Sequence, residues 1–448
     1  MSGAIDTLKK VSFVSLGCPK NLVDSEVILG RLAQAGWALC ERTEDSDIVI
    51  INTCGFLGEA RAESVRVVDQ AIRLRDEGRI RGVVVAGCLP QRDPREALEA
   101  LGRADAILGS DSREHIVPTC DALLEGAPLP KLRVTADLPR FEVDRDRLRL
   151  TPRHFAYLRL SEGCSHTCAF CVIPKIKGRF RSKPREVVLS EARELAADGA
   201  RELILIAQDT TSWGLDLYKR LALPELLEEL SGVEGIEWIR LLYCYPSYVT
   251  PRLIGAVASL PKLVHYMDLP IQHTVERMLR RMRRGVTERS QQDLIRSLRE
   301  AMPDLVLRTT LIVGFPGETD EEFERLCEDV RRLAFERLGV FCYSDEPGTR
   351  AFPMDGRVPE PVKEERFDRI MRIQQEVARA VNRRFVGRTV PVILDRARGE
   401  GIWEGRTYGD APDVDGVVRL RGAGGSVGQI ARARIQRVRG YDLEGSLA

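Results

Sequence analysis

The chain has 448 residues, and 68 Lys and Arg stand against 67 Asp and Glu, a formal net charge of +1. Apolar residues make up 44% and charged residues 30%, which excludes a disordered chain and leaves material for several cores. A balance this close to neutral also excludes nucleic-acid binding carried by bulk charge alone, while local basic patches stay open.

Length suggests about three domains at roughly 150 residues each. The start, MSGAIDTLKK, leads into VSFVSLGC, an apolar stretch too short to span a membrane and ending in a Gly-Cys turn, not a small-residue cleavage site. The expectation is a cytoplasmic protein with no membrane partner, where thiols stay reduced. The 11 cysteines then point to metal or catalysis, not to disulfide staples.

From Val11 to Cys120 the pattern is strand–helix alternation. The runs VSFVSLGC, DIVIINTC and VVVAGC are short and β-branched, and close on Cys18, Cys54 and Cys88, each beside a glycine. Leu22, Val27, Ile28 and Leu32 recur at helical spacing after the first run, and Ala60 to Leu74 behaves likewise after the second. This predicts an N-terminal parallel α/β domain over 9–122, with all three cysteines at the carboxyl edge of the sheet, where ligands collect. Asp121 to Pro152 holds Pro128, Pro130, Pro139 and Pro152 among many charges and reads as a linker with one edge strand.

A second α/β series follows. AYLRLSEG, ELILIAQD, WIRLLYCYP, VHYMDLPIQ, LVLRTTLIVGF and GVFCYSDE are candidate strands, separated by helices such as REVVLSEARELAADG. Six βα repeats predict a partial TIM-like barrel over 150–379 with functional groups on the loops after its strands. The amphipathic helix EERFDRIMRIQQEVARAVNRRF closes it. TVPVILDRA, GIWEGRTY, DGVVRLRG and GQIARARIQRV are alternating strands that predict a small antiparallel β-barrel of the oligonucleotide-binding sort over 382–448, with GAGGSVG as a turn.

Cys164, Cys168 and Cys171 form C-x3-C-x2-C on the loop after the first barrel strand. Three thiolates on one loop can hold three irons of a 4Fe–4S cluster. The fourth iron then stays open, and an open position lets a metal site bind and activate a substrate. The alternative is a Cys3His zinc site completed by His166. Cys18, Cys54 and Cys88 read either as small buried residues or as a second three-cysteine site. Cys40, Cys120, Cys244, Cys327 and Cys342 are assigned to packing or surface.

The triplet, with Phe170 just before its last cysteine at the opening of a βα barrel, resembles the radical S-adenosylmethionine (SAM) superfamily. Together with GCPKNLVDSE, NTCGF, GCLPQR and the terminal barrel, the whole chain resembles the methylthiotransferases, whose last domain is of the TRAM type. The resemblance implies two 4Fe–4S clusters, held by Cys18, Cys54, Cys88 and by Cys164, Cys168, Cys171, and SAM as cofactor. One SAM methylates a sulfur on the N-terminal cluster. A second, cleaved at the central cluster, yields a radical that takes hydrogen from an unactivated carbon. Both open irons are then expected to face one cavity. The resemblance further suggests that Phe170, Gln208, Arg308 and Ile312 hold SAM. The other reading of these side chains is core filling for Phe170 and strand capping for the polar ones. No catalytic residue is assigned beyond the cluster ligands, and His273 has no base to act as when hydrogen leaves as an atom.

GCPKNLVDSE and YCYPSY are similar to the branch that modifies the β-carbon of an aspartate in ribosomal protein S12. Asp410, Asp413 and Asp415 in YGDAPDVDG favour a basic protein partner over phosphate, or are simply turn residues, while ARARIQRVRG is basic. The expected partners are therefore ribosomal protein S12 and an unidentified electron donor, with tRNA as the alternative substrate and a zinc-and-RNA-binding protein as the non-enzymatic alternative. The run Arg277, Arg280, Arg281, Arg283, Arg284 reads as a solvated helix face, or as a phosphate contact if the substrate is RNA.

Overall fold

A computed structural model of the chain describes residues 8–110, 112–135, 141 and 143–448. They divide into two compact units, one of residues up to 150 with 162–166 and 172–183, the other of 151–161, 167–171 and 184–448.

The first unit holds a six-stranded parallel sheet in the order Ala38–Cys40, Lys10–Ser15, Ile48–Thr53, Gly82–Gly87, Ala106–Leu108, Leu132–Arg133. Val49, Ile51, Val83 and Val85 pack on one face with Val68 and Ile72, and Ile48, Ile50 and Val84 on the other with Ile28 and Leu32. Strands covered on both faces carry unbroken apolar runs, which is why the three central ones are plain in the sequence. The flanking strands are two or three residues long, too short to show a period. Leu132–Arg133 is the expected edge strand, whereas Asp121 lies inside a helix, Ile116–Glu125, not in a linker. Further along, Asp144 is buried between Arg113 (3.0 Å) and Lys183 (2.6 Å), and Arg147 meets Glu26 at 3.4 Å. The linker charges there serve buried ion pairs; Pro139 lies outside the described residues.

In the second unit six parallel strands follow one another in chain order: Phe155–Arg159, Glu202–Ile206, Trp238–Leu241, Leu263–Asp268, Val306–Val313, Arg337–Cys342. All six coincide with the expected runs, three of them starting one or two residues earlier, at Phe155, Leu263 and Arg337. Leu203, Leu205, Ile239, Leu241, Leu307 and Leu311 share a core with helix residues such as Leu195, Leu226, Ile295 and Leu326. With a two-residue period, the inner face therefore takes Glu202, Arg240, Tyr266, Asp268, Arg308 and Arg337. The closing helix spans Glu360–Asn382, beginning earlier than its apolar period because Pro359 and Pro361 frame its first turn. The terminal barrel is closed by five strands, not four. The extra one, Asp442–Leu447, pairs with Ile430–Arg439 and Val418–Arg421; its alternation is weak to the eye because Gly445 takes one of the inward positions, where a Cβ would meet the Arg434 carbonyl.

The terminal barrel plugs the amino-terminal end of the six-stranded sheet. Arg406 pairs with Glu202 at 2.7 Å and with Asp395 at 2.9 Å. Arg240, held by Glu202 at 2.7 Å, donates to the Tyr408 carbonyl at 2.6 Å. Arg337 pairs with Asp410 at 2.6 Å, and Tyr266 donates to Asp415 at 2.7 Å. The acidic turn is thus corrected in role: Asp410 and Asp415 are buried counter-charges for inner-face arginines and present nothing to a partner, while Asp413 alone is exposed.

Candidate metal centres

In the first unit Cys18, Cys54 and Cys88 follow directly on the strands ending at Ser15, Thr53 and Gly87 or the short turn after them. Cys18 caps the helix Pro19–Gln34, and Cys88 opens the short helix Cys88–Arg92. Two glycines bring the loops together. A Cβ on Gly17, at φ +93°, would stand 3.0 Å from the Cys54 Cβ; one on Gly55 would stand 2.6 Å from the Cys88 carbonyl oxygen. The approach at Gly55 excludes a side chain, and the left-handed φ with a tight contact disfavours one at Gly17, so the cysteine loops meet where the backbone is bare.

Asn21, which the sequence reading passed over, staples this edge. Its amide donates to the Leu16 carbonyl at 2.5 Å and to those of Asn52 and Thr53 at 3.4 Å, and Asn52 donates back to the Asn21 carbonyl at 3.0 Å. Arg92 holds the Cys54 loop through the Gly55 carbonyl at 2.9 Å. Burial raises the Cys54 thiol pKa, with Cys18 adding to it, and pushes Cys88 up to about 12, with Cys18 and Cys54 adding while the Lys177 ammonium opposes. Thiols gathered at one edge, two of them resisting ionisation by burial, are a donor set that a cationic inorganic core deprotonates and holds. Among the described residues no three His, Cys, Asp or Glu side chains converge to the spacing of a single metal ion. A cuboidal cluster stands its ligand sulfurs farther apart, because the core lies between them. The residues present fit such a group.

Of the second triplet, Cys164 belongs to the first unit, where its amide donates to the Gly178 carbonyl at 3.1 Å. Cys168 and Cys171 belong to the second. There the Cys171 amide donates to the Cys168 carbonyl at 3.2 Å, and Ala169 is pinned by Met282 at 2.9 Å and Ala351 at 2.8 Å. Phe170 packs on a cluster that contains Ile312, Met278, Phe315 and Tyr343, so two of the four expected SAM contacts come together. Arg308 is engaged by Asp268 at 2.8 Å and Asp415 at 3.5 Å. Gln208 follows the second barrel strand; its neighbour Asp209 ties down the turn by accepting from the Thr211 amide at 2.9 Å and hydroxyl at 2.5 Å. His273 accepts from the Val275 amide at 3.0 Å and so donates through Nε2 to Glu318 at 3.1 Å.

Two further residues carry signals that spacing does not show. Gln272 has φ +72° and a buried Oε1 with no hydrogen-bond partner among the described residues. A strained backbone and an orphaned acceptor beside Ile312 mark a place for a donor from a bound molecule. Arg284, read as part of an exposed run, is buried with its Nη1 3.2 Å from the Cys168 sulfur.

A family model described as "Uncharacterized protein family UPF0004" matches residues 10–109, the Radical SAM superfamily matches 158–330 and the TRAM domain matches 386–447. "Ribosomal protein uS12 methylthiotransferase RimO" of Desulfitobacterium hafniense is 41% identical over 98% of this chain and 98% of its own length. The protein of that name in Geobacter sulfurreducens is 44% identical with the same coverage of both. Among solved structures, the radical SAM methyltransferase TsrM from Kitasatospora setae aligns with a TM-score of 0.57 at 17% identity, over 77% of this chain and 75% of that one. The cobalamin-dependent radical SAM enzyme OxsB aligns at 0.53 and 12%, over 83% and 56%. At these identities the two structures speak for the fold alone. No helix among the described residues is long and apolar enough to cross a membrane.

Proposed function

The chain belongs to the ribosomal protein uS12 methylthiotransferase family within the radical SAM superfamily, and from that premise we propose how its residues divide the work. The enzyme is a transferase that uses two 4Fe–4S clusters and SAM to methylthiolate uS12, at the β-carbon of an aspartate. Cys18, Cys54 and Cys88 hold one cluster within domain 9–122; Cys164, Cys168 and Cys171 hold the other within domain 150–379; the TRAM domain is 382–448. When bound, SAM and the clusters supply one-electron bond cleavage, hydrogen-atom abstraction and the transferred sulfur.

The chain's own side chains bind and orient. Phe170 and Ile312 present an apolar wall for the adenine, and Gln208 and Arg308 serve its polar groups. The Gln272 acceptor takes a hydrogen bond from the same molecule. Asn21 and the bare glycine backbone fix the edge on which the first three thiols stand. No side chain has to remove a proton from the target carbon, which agrees with His273 being tied to Glu318. The cleavage consumes an electron, so a donor is needed, and the compartment is the cytoplasm.

What supports this reading most is the meeting of three cysteine loops, distant in sequence, at one sheet edge of a chain aligned end to end with uS12 methylthiotransferases. The test is to reconstitute the full chain with iron and sulfide, add SAM and a reductant, and offer uS12, small subunits and tRNA in parallel. A methylthio mass increment on uS12, mapped to an aspartate, is the expected result. An increment on tRNA alone refutes it.

A further inference from the structure

Arg284 occupies a position that its sequence neighbours do not share. Arg277 and Arg280 reach acidic partners on the surface, Glu322 and Glu276. Arg284 turns inward and is 4% exposed. Its Nη1 donates to the Cys168 sulfur at 3.2 Å and its Nη2 to the Pro270 carbonyl at 2.6 Å. The Arg284 guanidinium carbon stands over the Tyr245 ring, 4.4 Å from its centre, and the Tyr245 hydroxyl donates to the Arg284 carbonyl at 2.7 Å. Among the described residues no carboxylate pairs with it. A buried guanidinium with no carboxylate is unfavourable unless another anion faces it. The anion on offer is the Cys168 sulfur, which carries negative charge once it ligates iron.

We propose that Arg284 is a positioning residue that sets the reduction potential of the cluster held by the C-x3-C-x2-C loop, by donating a hydrogen bond to the Cys168 sulfur from a seat on the Tyr245 ring. This rests on the reading that Cys164, Cys168 and Cys171 ligate a cluster. A donor and a positive charge at a ligand sulfur stabilise the electron-rich reduced state more than the oxidised one, and so raise the potential. The planar fork matters, since one nitrogen serves the sulfur while the other anchors on Pro270. Tyr245 thereby acquires a role as well: it fixes the rotamer of a side chain that otherwise has four free torsions.

The experiment uses full-length chain reconstituted with iron and sulfide in a Cys54→Ala background, which silences the N-terminal cluster. Iron content and an EPR-monitored redox titration are the readouts. Arg284→Met is expected to load the same iron yet to hold, at a fixed potential, about tenfold less reduced cluster, a midpoint about 59 mV more negative for one electron. Arg284→Lys keeps the charge without the fork and falls between, and Tyr245→Leu shifts in the same direction as Arg284→Met. Full iron with an unmoved midpoint in Arg284→Met overturns the proposal. Should that variant load no iron, unmoved midpoints in both Arg284→Lys and Tyr245→Leu overturn it. A parent chain that shows no reducible cluster refutes the ligand reading instead, so the two failures are distinct.

Discussion

Glu202 is wholly buried and holds two arginines from two different parts of the second unit, Arg240 at 2.7 Å and Arg406 at 2.7 Å. Replacing it by Gln keeps the shape and removes the charge. Arg406 retains Asp395, but Arg240 is left with the Tyr408 carbonyl and the Tyr266 ring. Removing one member of a buried pair costs about 3–5 kcal/mol, and the Gln carbonyl returns about 1 kcal/mol by accepting one bond, for a net loss of about 2–4 kcal/mol. At about 2 °C per kcal/mol for a large domain, calorimetry of the second unit's transition should show a drop of about 4–8 °C. The double variant Glu202→Leu/Arg240→Met puts apolar surface where the pair was and should recover most of the loss. Acid titration gives a second readout. Burial pushes the Glu202 carboxyl up, but Arg406 and Arg240 outweigh it and hold its pKa below the ordinary glutamate value. Its contribution is therefore present above about pH 4.3 and lost as pH falls through the lowered folded value. The variant should lack that acid-dependent loss. A single-variant drop under about 1 °C, or a double variant no better than the single, refutes the view that this charge joins the terminal barrel to the sheet.

Cys168→Ala should abolish SAM cleavage, whereas Cys54→Ala should preserve it, lower iron from about eight to about four per chain and stop methylthio transfer; transfer surviving in the second variant would contradict the division of labour between the clusters. Gln272→Ala removes the orphaned acceptor and should weaken SAM binding about tenfold, in line with one lost hydrogen bond to a buried group, with the midpoint potential unchanged; equilibrium binding of SAM to the reconstituted chain measures it, and wild-type affinity would show that Oε1 serves the fold.

The metal-ligand candidates were legible in the sequence because their residue type is their chemistry. A cysteine closing a β-branched run beside a glycine marks a sheet edge whatever else the chain does, and Gly17 and Gly55 turn out to be required by the approach of the cysteine loops. Phe170 stands one step before Cys171, whereas Ile312 entered through resemblance alone; the structure packs Phe170 on the apolar cluster that contains Ile312. Arg284 and Asn21 were not legible. Their roles depend on which way a side chain turns, in the first turn of Pro19–Gln34 for Asn21 and just past the end of Glu276–Arg281 for Arg284, and ERMLRRMRRG gives the same composition whether its last arginine meets water or a sulfur. Gln272 is signalled only by backbone strain and an unpaired atom, neither of which a one-dimensional pattern contains.

The acidic turn Asp410–Asp415 has a composition that fits a partner surface and a buried socket equally well. Turn chemistry favours aspartate in solvent and in a socket alike, so the turn alone cannot decide. The decisive residues lie elsewhere, on strands whose alternate positions are Leu and Ile. Glu202, Arg240, Arg308 and Arg337 occupy the intervening positions, inside a sheet with helices packed on its other face. Charges at such positions are tolerable only if matched. With the buried Arg159 of the first strand, four arginines there exceed Glu202 and Asp268, so further carboxylates arrive from another segment, and Asp410 and Asp415 supply two of them. An unbalanced sum of inner-face charges is thus a sequence-level sign that a later domain docks there. With its amino-terminal end filled in this way, the sheet keeps the carboxyl end, where Phe170, Gln272 and Arg284 gather, for chemistry.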